Sequence, residues 1–245
     1  MAGDALNGKI VVCIGGGSGI GFAVARAALA QGAEVVIASS SAARIETSVA
    51  GLGAGARGAV VDVTDDASVA GLFDQLGGFH HLVYTAGDWS DVGGGPIGEL
   101  DLEAAASVFG VRFWGAVRAV KFAARHIAPD GSITLTDGMF AHRPRAGGAV
   151  RSAMLGGIEH LAQGLAVELA PVRVNCVCPG LIETEIWDVR LPHDRRAELV
   201  RRMTERQALP RAGQPDEAAA AYLYLMQAGY TTGQVLRVDG GSSLA

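Results

Sequence analysis

The chain reads as an α/β protein, a doubly wound parallel sheet of about seven strands folded as a single domain over residues 1–245. Three observations predict this. Short apolar runs alternate with stretches of helical periodicity along the whole length. A glycine-rich turn, Gly15-Gly16-Gly17-Ser18-Gly19-Ile20-Gly21, follows the first apolar run and opens the first helix. Hydrophobic residues make up 49% of the chain, enough to cover both faces of such a sheet.

The elements follow in order. Strands are expected at 9–14, 34–38, 58–62, 81–85, 132–136, 173–177 and 234–238, and helices at 20–31, 42–51, 66–76, 101–127, 150–169 and 216–228. In the long helix after Asp101, Val108, Val111, Val117, Val120 and Phe122 give an apolar face. In the next, Ile158, Leu161, Leu165 and Leu169 do so at three- and four-residue steps. Glycine and proline punctuate the elements, as at 91–96 and at Pro179-Gly180. The longest irregular insert, 183–214, carries a charged helical stretch at 192–207 and has the character of a substrate lid, with Trp187 as a candidate pocket wall.

Composition narrows the function. The formal net charge is −5 and no basic block exists, which argues against nucleic acid as a partner. No apolar stretch approaches the roughly 20 residues that a membrane span needs, and the first residues lack the pattern of a secretory signal. Cys13, Cys176 and Cys178 all fall in expected strands and read as buried thiols of a reduced, cytoplasmic protein. No His/Cys/Asp/Glu spacing supports a metal, so none is expected. The expected partner is a small-molecule substrate.

The glycine turn points to a dinucleotide. A strand that ends in glycines and opens a helix lets backbone N–H groups approach a pyrophosphate at the helix N-terminus, here at Gly15, Gly17, Ser18, Gly19, Ile20 and Gly21. The second strand ends in Ala38-Ser39-Ser40-Ser41, with no acid to chelate the ribose hydroxyls of NAD(H). Ser39, Ser40 and the nearby Arg44 suit a phosphate monoester, which favours NADP(H) over NAD(H). The competing reading is that Ser39 and Ser41 only cap the next helix.

Further segments carry a resemblance: Val61-Asp62-Val63-Thr64, Tyr84-Thr85-Ala86-Gly87, Arg173-Val174-Asn175-Cys176-Val177-Cys178-Pro179-Gly180, Ile182 and Thr184, and Thr232-Gly233-Gln234-Val235-Leu236-Arg237-Val238-Asp239-Gly240-Gly241. With the glycine turn they resemble the short-chain dehydrogenase/reductase family from about residue 6 to 241. The resemblance implies a Rossmann fold, an NAD(P)(H)-dependent oxidoreductase and a homotetramer or homodimer packed through its long helices. It places Asp62 and Val63 beside the adenine, and Ala86 and Gly87 in what remains of the family's Asn-Asn-Ala-Gly. Pro179 and Gly180 form the turn after strand six, and Ile182 and Thr184 contact the nicotinamide carboxamide. Tyr84, at the first position of the altered motif, reads as packing.

The family's proton relay does not carry over. Arg112 stands at its asparagine, Gly138 (with Asp137 beside it) at its serine, Arg151 at its tyrosine and Leu155 at its lysine. The only lysines are Lys9 and Lys121, so no shifted lysine substitutes. Arginine, with a pKa above about 12, is a fixed cation rather than a general acid. The candidate catalytic residues are therefore Arg112 and Arg151, to stabilise developing negative charge or clamp an anionic substrate, and Asp137 or His142, to move a proton. Each has a structural alternative as a surface, capping or paired side chain. Three functions stay open: an oxidoreductase with an atypical active site reducing imines or conjugated alkenes, a redox-neutral isomerase, dehydratase or cyclase, and an NADP-binding protein without activity.

Overall fold

A computed structural model describes residues 5–87, 94–185 and 193–245; Trp187 lies outside them. The elements are β1 (Ile10–Ile14), α1 (Gly19–Leu29), β2 (Glu34–Ser39), α2 (Ala42–Leu52), β3 (Ala56–Val60), α3 (Asp66–Leu76), β4 (Phe79–Tyr84), α4 (Leu102–Ser107), α5 (Gly115–Ala123), β5 (Ile127–Thr136), α6 (Ala149–Glu168), β6 (Arg173–Pro179), α7 (His193–Thr204), α8 (Pro215–Gln227) and β7 (Val235–Val238). The seven strands form one sheet in the order β3-β2-β1-β4-β5-β6-β7, and every pairing is parallel.

Alternation along β1 shows how the two layers arise. Val11 and Cys13 point into a core shared with α1, α2 and α8, while Val12 and Ile14 point into one shared with α3, α5 and α6. Both faces are covered, which is why the strands read as continuous apolar runs. Among the described residues no helix is long and apolar enough to cross a membrane.

Two expectations need correction. The third strand is Ala56–Val60 rather than 58–62, so Asp62 lies beyond the strand end, in the loop leading to α3. The helix expected over 101–127 is broken. After α4 the chain forms a π-helical turn, Gly110–Trp114, before α5 begins at Gly115. Tyr84 explains part of that break. Its buried hydroxyl donates to the Val111 carbonyl at 2.5 Å, inside the π turn. Gly115 makes room, since a Cβ there would lie 2.3 Å from the same hydroxyl. The turn brings Arg112 round to the sheet.

Candidate active site

The strand order reverses direction between β1 and β4, and the crevice beyond the carboxyl ends of these strands is where such sheets bind ligands. A cavity of about 380 Å³ opens there. Its glycine wall is built by close approach. Gly15 has φ +91°, and a Cβ on it would meet the Ala86 backbone nitrogen at 2.5 Å. Gly21, in the first turn of α1, would press a Cβ to 2.4 Å from the Gly15 carbonyl. These contacts seat the α1 N-terminus on the end of β1. The Gly19 N–H donates to the Glu185 carboxylate at 3.0 Å, so an anionic oxygen already occupies the helix N-terminus.

All seventeen residues expected to hold the cofactor line this one cavity: Gly15, Gly17, Ser18, Gly19, Ile20, Gly21, Ser39, Ser40, Arg44, Asp62, Val63, Ala86, Gly87, Pro179, Gly180, Ile182 and Thr184. The Arg44 stem runs along Gly17, where a Cβ would find it at 3.1 Å. Ser41, by contrast, caps α2, its hydroxyl accepting the Arg44 N–H at 3.3 Å. The Thr64 hydroxyl and N–H both donate to Asp62 Oδ1, at 2.7 and 2.8 Å, and hold that carboxyl below its usual range. The Thr184 methyl would lie 3.2 Å from a Cβ on Gly19, which joins the loop after β6 to the glycine turn.

At its other end the cavity is walled by Val111, Arg112, Asp137, Gly138, Met139 and Phe140, with Arg143 and Arg145 nearby. Arg112 is buried, its Nη1 3.5 Å from the Asp137 carbonyl. Its guanidinium crowds Gly87, where a Cβ would come within 2.1 Å of Nη2. Leu155 is buried too, its δ carbons 3.6–3.9 Å from where a Gly138 Cβ would stand. Of the four catalytic candidates, then, Arg112 and Asp137 line the cavity, whereas Arg151 and His142 do not. His142 instead lies against α6, its Nε2 2.6 Å from Glu159 Oε1. Burial, and then the neighbouring Glu159, push Asp137 up to about 9, so its carboxyl holds a proton at neutral pH. Burial likewise pushes the Cys178 thiol up.

Comparison with known proteins agrees with this geometry. The family described as enoyl-(acyl carrier protein) reductase matches residues 15–243. The short-chain dehydrogenase/reductase malC of Malbranchea aurantiaca is 32% identical over 98% of this chain and 97% of its own length. The solved structure of the MalC reductase/Diels-Alderase from that organism superposes with a TM-score of 0.91 at 30% identity, covering all of both chains. A small-chain dehydrogenase solved in complex with NADPH has a TM-score of 0.83 and 34% identity, over 97% of this chain and 99% of its own. The chain belongs to the short-chain dehydrogenase/reductase family.

As a short-chain dehydrogenase/reductase it is an oxidoreductase-like protein, with the glycine turn and Arg112, Asp137 and Gly138 lining one cavity. Sequence reasoning missed Glu159, which sits one helical turn beyond Leu155 on α6. It also missed the meeting of Asp137, His142, Glu159 and Cys178, whose donor atoms all lie within 4.8 Å of one another. No short spacing could have revealed that group, because its members come from the residue after β5, the turn that follows, α6 and β6.

Proposed function

We propose that this protein is an NADP(H)-dependent reductase whose substrate accepts hydride without a proton from a protein tyrosine. The observation that supports the reading is a single cavity lined both by the glycine turn and by Arg112, Asp137 and Gly138, with Leu155, which the family resemblance aligns with the lysine, buried beside Gly138. A conjugated alkene fits this wall. A nicotinamide cofactor held along the glycine turn would supply hydride to the β carbon of such a substrate, and the charge left on the carbonyl oxygen would be neutralised by a proton from water. Arg112 supplies a fixed positive charge for that oxygen and surrenders no proton. An iminium ion, which becomes a neutral amine on taking hydride, needs no proton either, but a guanidinium at the wall disfavours a cationic substrate over an enone.

Ser39, Ser40 and Arg44 support NADP(H) over NAD(H). With Ser41 committed to the α2 cap, these three groups line the cavity where a 2′-phosphate is expected. A second reading, a redox-neutral cyclase or isomerase, is favoured by the missing relay and by a relative whose name pairs reductase with Diels-Alderase. The substrate we infer is small and possesses an acidic group, given Arg143 and Arg145 at the cavity wall. A homodimer or homotetramer is expected, with Trp114 and Val167 exposed on the two helical segments that the family pairs.

The test is a titration with NADPH and NADH followed by turnover of enones, iminium ions and simple ketones. Tighter NADPH binding and oxidation of NADPH by enones ahead of ketones support the proposal. Ketone reduction at equal rate would sink it, and substrate conversion without cofactor consumption would favour the redox-neutral reading. Arg44→Ala should weaken NADPH about tenfold and leave NADH nearly unchanged.

A further inference from the structure

Behind the Asp137–Gly138 wall, four side chains from separate parts of the chain converge. Asp137 immediately follows β5, His142 follows the turn Met139–Ala141, Glu159 lies on α6 and Cys178 on β6. One donor atom from each falls within 4.8 Å of all the others. Asp137 is only 2% exposed, and neither of its carboxylate oxygens receives an aligned hydrogen bond. Glu159 Oε1 and His142 Nε2 are also buried without an aligned hydrogen bond, although they stand 2.6 Å apart. A buried carboxylate whose two oxygens receive no aligned hydrogen bond is costly, and a cation at the centre of the four groups would satisfy it.

We propose that Asp137, His142, Glu159 and Cys178 form a four-coordinate site for a zinc-class divalent cation. One imidazole nitrogen, one thiolate and two carboxylate oxygens make a donor set of the borderline softness that Zn²⁺ takes, whereas Mg²⁺ and Ca²⁺ require oxygen-rich shells and make little use of sulfur. Bonds of about 2.0–2.3 Å in a tetrahedron place ligand atoms about 3.3–3.8 Å apart, so side-chain shifts of about 1 Å close the shell. With Asp137, Glu159 and Cys178 deprotonated, the occupied site carries one net negative charge and remains compatible with Arg112, whose guanidinium contacts the Asp137 carbonyl. Four protein ligands leave no open position, so the ion ties β5, α6 and β6 together behind the cavity and does not touch substrate.

The experiment uses tag-free protein, without nicotinamide cofactor, and titrates it with Zn²⁺ and with Co²⁺ as a spectroscopic probe. We expect about one equivalent bound, a thiolate-to-cobalt charge-transfer band, and a higher melting temperature with Zn²⁺. Cys178→Ser should abolish the band, and Cys178→Ser, His142→Ala and Glu159→Gln should each weaken Zn²⁺ by about tenfold or more. Glu159→Gln preserves side-chain shape, so it decides the matter if another variant folds poorly. No binding, or binding unchanged by these substitutions, overturns the proposal. NADPH titration of the same variants is read separately, so failure of the metal site and failure of the cofactor reading are distinguishable.

Discussion

The two ends of the cavity are built on opposite principles. The nucleotide end, around β1, α1 and the turn after β4, is made largely of backbone, and its key residues are those that lack a side chain. At the far end, around β5, α6 and β6, the buried Arg112 and Asp137 line the cavity, with half-buried Glu159 and buried Cys178 behind them. Backbone recognition depends on a few consecutive residues and tolerates no bulk. Side-chain chemistry depends on groups remote in sequence and changes whenever one of them does. The first is set by a short glycine turn, the second by side chains drawn from four parts of the chain.

The sharpest way to break the contrast is at Gly21. A Cβ there would lie 2.4 Å from both the Gly15 carbonyl and the Thr85 hydroxyl, and the first of these is backbone that cannot yield. Gly21→Ala should lower the melting temperature and weaken NADPH by about 100-fold or more, measured by calorimetry and fluorescence titration. Near-normal binding would mean that close approach is not what defines this end. Arg112→Gln is the counterpart at the far end. It should lower kcat/KM for an enone by about 10²–10³ while leaving the NADPH Kd within a few-fold. Equal loss of both quantities would show that Arg112 serves the nucleotide instead.

The contrast also explains what the sequence could reveal. Gly15, Gly19 and Gly21 were legible because the geometry that needs them is local, and the tail from Thr232 to Gly241 because it repeats a contiguous pattern. Arg112 could be placed on the correct segment but not in its setting. The apolar periodicity of Val108, Val111, Val117 and Val120 continues across the π turn, so nothing in it signals the break that Tyr84 and Gly115 accommodate. Asp62 could be named, yet the third strand ends two residues earlier than its pattern suggests. Asp137, His142, Glu159 and Cys178 lie 5, 17 and 19 residues apart in succession, and only the fold brings them together.

Both ends rest on β4, and there the sheet has an acid-sensitive point. His81 is buried with its Nδ1 2.9 Å from the Ser132 hydroxyl. Burial, helped by Arg173, His80 and Lys9 and opposed by Asp130, lowers its pKa from 6.5 to about 4. The folded protein therefore binds fewer protons than the unfolded chain between these values. Stability contributed by neutral His81 is complete above pH 6.5 and is lost as pH falls toward 4, by about 3 kcal/mol in all. Thermal melts from pH 7.5 to 4.5 should show this fall, and His81→Asn, which retains a partner for Ser132, should flatten it. Because both ends share the strand, near-ultraviolet dichroism and NADPH binding should be lost in one transition. Separate transitions would mean that the ends are independent units.

The smallest effect belongs to Glu185, the residue at which the two principles meet. Its carboxylate accepts the Gly19 N–H at the α1 N-terminus, where the backbone end should offer its donors to a phosphate oxygen. Two anions cannot share that position, so cofactor binding has to displace the carboxylate. Glu185→Gln keeps an acceptor for Gly19 and removes the charge. Charges at a helix terminus contribute about 0.3–1 kcal/mol when exposed, so NADPH should bind about two- to fivefold more tightly to the variant. Glu185 is exposed, and the gain should shrink as salt is raised. Weaker binding in Glu185→Gln would show the opposite arrangement, with this side chain holding the loop in a conformation that receives the cofactor, and the backbone end would then depend on a side chain after all.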